Sequence, residues 1–380
     1  MYIMICITRM NSNNDAQILN EISFSLLKTF DQNEVICFSP LSILATFNAL
    51  LQFTPSNSLV QEIGDLFKFD CSWNELSQFE KVNWVTNFIN KILIDDSSVL
   101  KLKYGVWVSR DKQLRFDFVN SDIKFCQSNE SVGIINEEIL QMTDEKIKDF
   151  LNNKHKPQTG LVSFSVLHLK GHFLHLFKTS SVADFHLDAS NCKKVTMMTS
   201  FGMFKYVEDK EINAKIMNHY LSDGSLSLLV IVPIKRFGLT EIVKNLTVDK
   251  YRSMIDGMKL VVGSLSIPAF SMNCSADYLK HFQKCNANKL STISSSKAKN
   301  EIDHVDHFIQ GTAIAVNDFG VNLSISEKRP FEVSGPCMGG FTTPPERQEI
   351  LADEPFLIIL TNHKENYIIS MIRVTEPDFI

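Results

Sequence analysis

Apolar positions along this chain change their period part-way. From Asp15 to Phe30 they recur at helical spacing (Ile18, Leu19, Ile22, Phe24, Leu26, Leu27). Val35-Ile36-Cys37-Phe38 then reads as a short buried strand, with Cys37 a small buried hydrophobe. It runs into Ser39-Pro40, a helix N-cap followed by proline at the first helical position. The helix predicted over Leu41–Phe53 is apolar on most sides (Ile43, Leu44, Ala45, Phe47, Ala49, Leu50, Leu51), so it belongs inside a core. Helical patterns recur at Asn57–Phe67, Asn74–Ile94 and Ser131–Leu151. Strand signals follow at Leu161–Leu169, Lys215–Tyr220, Leu226–Val232, Val261–Phe270, Thr312–Val316, Phe356–Leu360 and Tyr367–Val374. Helices early and strands late, without strict alternation, predict the α+β class. No repeat or composition break divides the chain, so one domain is expected over 15–380 after an extension at 1–14.

Between two of those strands lies a long irregular segment, Asp318 to Asp353. It opens with Gly320 and then alternates as Val321-Asn322-Leu323-Ser324-Ile325-Ser326. It goes on into Pro330, Gly335-Pro336, Gly339-Gly340 and Pro344-Pro345. Loops beyond ~12–15 residues are uncommon in compact domains and are usually functional or disordered. Val321, Leu323 and Ile325 would share one face of a strand. A loop that can also be a strand implies a conformational device.

Composition adds limits. The 380 residues are 44% hydrophobic and 21% charged with net charge -5, which gives no reason to expect a nucleic acid or an anionic membrane as partner. The basic cluster Lys101, Lys103, Arg110, Lys112, Arg115 reads as a solvated face. Eight cysteines without a Cys-x-x-Cys pair read as reduced thiols, Cys337 being placed in the long loop. Met1–Met10 lacks a basic leader and carries Arg9, a poor secretory pattern, so a cytoplasmic location is expected, with an extracellular one as alternative. Four Asn-x-Ser/Thr matches (Asn129, Asn245, Asn273, Asn322) would matter only outside the cytosol.

Catalytic signatures are missing: there is no Gly-x-Ser-x-Gly, no phosphate-binding glycine loop and no His-Glu-x-x-His. His168, His172 and His175 would not share one face of a strand, so no metal or other cofactor is expected. His304 and His307 beside Asp303 and Asp306 read as the hydrophilic start of a strand. The chain is not expected to be an enzyme.

Several segments, in order, resemble one family. They are Phe38-Ser39-Pro40-Leu41-Ser42-Ile43; Ile135-Asn136 with Ile139, Thr143 and Lys146-Ile147; and Lys170-Gly171 followed by Phe173 and Phe177. Phe185-His186-Leu187, Val195-Thr196-Met197-Met198, Arg236-Phe237-Gly238-Leu239, Ile267-Pro268-Ala269-Phe270 and Asp353-Glu354-Pro355-Phe356 continue the series. By this order and spacing the chain resembles the serpins.

The resemblance implies a monomeric α+β domain with three sheets, eight or nine helices and a reactive-centre loop at about 318–353. That loop is bait for a serine or cysteine protease; after cleavage its upstream half inserts into the main sheet. Asp318 and Gly320 match the start of the hinge, which runs on through Val321, Asn322, Leu323, Ser324, Ile325 and Ser326. Counting from Gly320 by the family's hinge spacing places the scissile bond at Ser334–Gly335; counting back from Pro355-Phe356 places it near Thr343-Pro344. Ser39, Ser42, Ser165 and Gln310 fall where the family keeps a buried polar cluster under that sheet, with Ser165 and Gln310 in place of an Asn–His pair. Glu138 stands where a tryptophan is usual, and Ala269 removes the lysine that usually pairs with Asp318. Leu323 and Ile325 are bulky where small residues ease insertion, and overpacking costs ~1–3 kcal/mol per site. Slower insertion would let the protease finish hydrolysis, so the alternative expectation is a non-inhibitory binding or carrier protein.

Overall fold

The computed structural model describes residues 12–32, 34–53, 57–67, 76–95, 99–108, 124–126, 129–157, 161–285, 305–322 and 347–379. Residues cluster into two compact units, one formed by 1–29, 38–168 and 273–313 and the other by 30–37, 169–272 and 314–380.

The first unit carries the helices α1 (Ser12–Leu27), α2 (Pro40–Phe53), α3 (Asn57–Phe67), α4 (Gln78–Asp95) and α5 (Asn129–Met142), with a short α8 (Leu279–Lys284). Ser39 caps α2 as its sequence predicts, its Oγ accepting from Ser42 N at 3.1 Å. The apolar residues of α2 from Leu41 to Leu51 are fully buried, and Phe47 packs against Phe67, Phe282 and Phe308 with ring centroids 4.8–5.5 Å apart. Strands β2 (Leu100–Val108), β3 (Lys124–Cys126) and β4 (Leu161–Leu169) join β12 (Val305–Val316) in the order β12-β4-β2-β3. β4 and β12 pair in parallel from Val305↔Leu161 to Ala313↔His168.

α5 is shorter than the periodicity predicts, because its end is closed chemically. Thr143 Oγ1 bonds back to Ile139 O and accepts from Ile147 N, and Asp144 and Glu145 take left-handed φ of 50° and 60°. Asn136 holds the chain that follows, with Nδ2 donating to Leu151 O and Oδ1 accepting from Leu151 N at 2.7 and 2.9 Å. This places Ile135, Ile139, Ile147 and Phe150 over Val162, Phe164, Val166 and Ile309 of β4 and β12. Phe150 lies so close over Gly311 that a Cβ there would come within 2.7 Å of its ring.

Lys101 is exposed, as a solvated face requires, but Lys103 is half-buried. They lie on β2, and Lys103 Nζ reaches Glu138 Oε2 at 2.5 Å, which gives the charge at the unusual Glu138 its partner. Arg110, Lys112 and Arg115 lie outside the described residues.

The second unit holds a nine-stranded sheet, with main path β1-β16-β15-β9-β8-β7-β10-β14 and β6 paired to β7. Its strands are β1 (Ile36–Phe38), β6 (Phe177–His186), β7 (Cys192–Asp209), β8 (Ala214–Tyr220), β9 (Leu226–Pro233), β10 (Lys259–Pro268), β14 (Arg347–Leu351), β15 (Phe356–Asn362) and β16 (Tyr367–Val374). Two helices, α6 (Leu239–Asn245) and α7 (Val248–Gly257), belong to the same unit. β7 has 18 residues and pairs with β6, β10 and β8 in succession. The remaining strands are β5 (Gly171–His172), β11 (Phe270–Asp277), β13 (Gly320–Val321) and β17 (Asp378–Phe379). With eight helices among the described residues, the class is α+β. Hydrogen bonding groups these strands into two sheets, since one continuous β7 links strands that would otherwise form separate ones.

Candidate functional site

Gly320 and Val321 are the first residues after the turn that follows β12. Asn317 builds that turn: its Oδ1 accepts from Phe319 N and Gly320 N at 3.0 and 3.2 Å, and its N–H donates to Gly320 O. The returning strand β13 sets Val321 opposite Val316 of β12, and on its other edge pairs Gly320 with His172 and Val321 with Gly171 of β5. Two carbonyls of the turn are also taken, that of Phe319 by Phe173 N at 3.1 Å and that of Asp318 by Phe177 N at 3.3 Å. Val321 is completely buried.

Asn322 is buried with it, in a left-handed conformation at φ 56°. Its N–H donates to Ala315 O, its Oδ1 accepts from Ala315 N and its Nδ2 donates to Leu169 O, each at 2.7 Å. An Asn-x-Ser match at 322 is therefore a buried, hydrogen-bonded amide. Leu323, Ser324, Ile325, Ser326, Ser334, Gly335 and Cys337 lie outside the described residues, as do both candidate scissile bonds.

Phe173 and Phe177, whose N–H groups hold the turn, sit on an aromatic bed. Phe177 stacks on His219 with centroids 5.1 Å apart, and Phe173 meets the same ring edge-on at 4.5 Å. Burial, with His175 adding repulsion, pushes the His219 pKa down to about 3, so this imidazole stays neutral. Sequence reasoning missed His219 because nothing near it in the chain marks a site. Of the three histidines weighed as ligands, His168 is buried in β4, His172 lies in β5, and His175 packs over Gly202. Among the described residues no cluster of three or more His, Cys, Asp or Glu is placed to hold a metal.

The far end of the segment is tied down as well. Asp353 Oδ2 accepts from Arg236 Nη2 at 2.9 Å, and its carbonyl accepts from His186 N at 2.7 Å. The Glu354 carboxylate accepts from Phe237 N at 2.7 Å, with burial pushing its pKa up. Phe237 has φ 57°, so this bond stabilises a strained turn and explains why Asp353-Glu354 and Arg236-Phe237 occur together.

In the first unit the expected polar cluster is only partly a network. Gln310 Nε2 donates to Ser39 O at 2.8 Å, and Ser165 lies opposite Gln310 in the β4–β12 register. Ser163, Ser165, Gln310 and Thr312 occupy the face opposite to the one that α5 covers. Ser42 Oγ, Ser163 Oγ, Ser165 Oγ, Gln310 Oε1 and Thr312 Oγ1 are buried and have no hydrogen-bond partner among the described residues.

These geometries can be set beside known proteins. The family described as "Serpin (serine protease inhibitor)" matches residues 17–377. Human Serpin B4 is 22% identical over 405 aligned positions, covering 97% of this chain and all of the relative. A variola virus protein named serine proteinase inhibitor 2 is 26% identical over 69% of this chain and 74% of its own length. Among solved structures, human thyroxine-binding globulin aligns with TM-score 0.82 at 15% identity over 97% of this chain and 99% of its own. Uncleaved ovalbumin aligns with TM-score 0.77 at 16% identity over 96% and 100%. With a family match that runs over residues 17–377 and so spans both units, the chain belongs to the serpin family.

Proposed function

We propose that this serpin inhibits a serine-class endopeptidase, with the segment from 318 to 353 as its bait loop. The reading is carried by one observation, the direction of the hinge. β4 and β12 run parallel to each other, and after the Asn317–Phe319 turn the chain comes back antiparallel to β12. A strand continuing from Val321 would thus run antiparallel to both, replacing one parallel pairing with two antiparallel ones. Antiparallel pairs are slightly more stable per residue, and the number of ladders doubles. Cleavage of the loop frees its upstream half to make that exchange, and the drop in free energy is what traps the protease. The relatives named as proteinase inhibitors support this reading.

Incubation with a panel of serine proteases should give an SDS-stable covalent complex with at least one. Protein nicked within 323–346 should melt at a sharply higher temperature than intact protein. A second reading, a non-inhibitory serpin that binds a ligand, is favoured by the bulk of Leu323 and Ile325. It predicts release of cleaved product and an unchanged melting temperature after nicking.

A further inference from the structure

We propose that the side-chain amide of Asn322 substitutes for the peptide group that follows it, and so clasps the hinge at the point where the strand stops. The proposal rests, for its consequence, on loop insertion as the function. In the hairpin, Asn317 N bonds to Gly320 O, Val316 opposes Val321, and Ala315 with Asn322 is the next hydrogen-bonding pair. In a strand that simply continued, Ala315 N–H would bond to the main-chain carbonyl of Asn322. Here Asn322 has φ 56°, and the bond goes to its Oδ1 instead.

The other edge repeats the substitution. β13 pairs with β5 through Gly320↔His172 and Val321↔Gly171. That register, carried on by two residues, sets position 323 opposite Leu169, whose carbonyl would receive the main-chain N–H of that position. Asn322 Nδ2 donates to it. One acceptor and one donor, on opposite sides of a planar group, are what a peptide unit presents, and Asn and Gln are the side chains that offer both as an amide.

Two consequences follow. The edges of β12 and of the β4–β5 segment are satisfied where the strand ends, so neither leaves an unpaired group in a buried place. The chain also cannot extend further until Asn322 leaves φ 56° and its own main chain displaces its side chain. The clasp therefore holds the hinge docked and delays loop entrance until cleavage makes extension downhill.

The test uses the full chain. In intact wild-type protein, the Asn322 Nδ2 protons and the Ala315 N–H should exchange slowly in NMR; nicking the loop should release the former and leave the latter protected. Asn322→Gly suits the left-handed φ but removes the amide, and Asn322→Asp keeps the size and the acceptor but removes the donor. In intact protein the glycine variant should lower Ala315 N–H protection by about 10- to 100-fold, while the aspartate variant, which keeps the acceptor, should leave it and lose the bond to Leu169 O. Both should also speed the gain of heat resistance after nicking. Rapid exchange of the wild-type Nδ2 protons, or full protection of Ala315 in Asn322→Gly, would overturn the clasp. Loosened variants that convert no faster than wild type would overturn the delay. If no nicked form gains heat resistance, the proposed function and the delay both fail, while the exchange data still decide the clasp.

Discussion

The two polar regions tied to the long loop are built on opposite terms. At the hinge and at Asp353-Glu354, main-chain and side-chain groups find partners at 2.7–3.3 Å, including both atoms of the Asn322 amide. Under the β4–β12 seam, five buried oxygens lack a protein partner among the described residues, and one bond, Gln310 to Ser39, links the strands' polar face to α2. Leaving a buried polar group unpaired costs ~1–3 kcal/mol, whereas a satisfied one contributes about 1. Both ends of the segment are thus held firmly, and the β4–β12 seam is held below its best. On the function proposed above, that distribution lets the intact state be ordered yet higher in free energy than its loop-inserted alternative.

The comparison can be broken at either end. The largest effect is expected beneath the hinge. His219 is neutral in the folded protein, with its pKa lowered from 6.5 to about 3, while the unfolded chain takes up a proton below 6.5. Stability is therefore full above that pH and falls as the pH drops towards 3, at about 1.4 kcal/mol per unit for one proton. Urea unfolding of intact protein should lose about 2 kcal/mol from this group between pH 6.5 and 5. His219→Phe, which keeps the ring stack, should remove that share, and an unaltered pH slope would show that the bed is not what couples the hinge to acid.

A smaller effect belongs to the loop's far anchor. Glu354→Ala removes the acceptor for Phe237 N in a strained turn and should destabilise by about 1 kcal/mol in chemical denaturation. Change within experimental error would mean that this end is not held by the carboxylate. The smallest effect, opposite in sign, is at the seam: Ser165→Ala removes an unpartnered hydroxyl and should stabilise intact protein by up to ~1 kcal/mol. Destabilisation by more than that amount would show that the seam is already satisfied, and the contrast with the hinge would collapse.

How much of this could be read beforehand depends on whether the cause was local. Ser39-Pro40, the largely apolar α2 and the runs Phe356–Leu360 and Tyr367–Val374 signal themselves, because capping and burial are written in adjacent residues. The end of α5 was misjudged because Thr143, an ordinary residue in a helical pattern, turns its hydroxyl back on the helix. β2 was hidden by Lys101 and Lys103, since the charge of Lys103 is answered by Glu138 thirty-five positions away. No strand is predicted over β7, since its middle carries Gly202 and its exposed positions break the alternation. At the start of the segment, Asp318 and Gly320 resemble the family's hinge entry, but the contacts of the Asn322 amide depend on the registers of two other strands. No local pattern encodes that.

The long strand β7 has one more consequence. Val195-Thr196-Met197-Met198 is an uncharged, β-prone run of the sort that seeds intermolecular sheets when it lies at an edge. From Met197 to Ser200 it is covered on one side by β6 and on the other by β10, so it offers no free ladder to another molecule. The same length that lets β7 serve three partners therefore keeps Met197 and Met198 of this run away from a free edge.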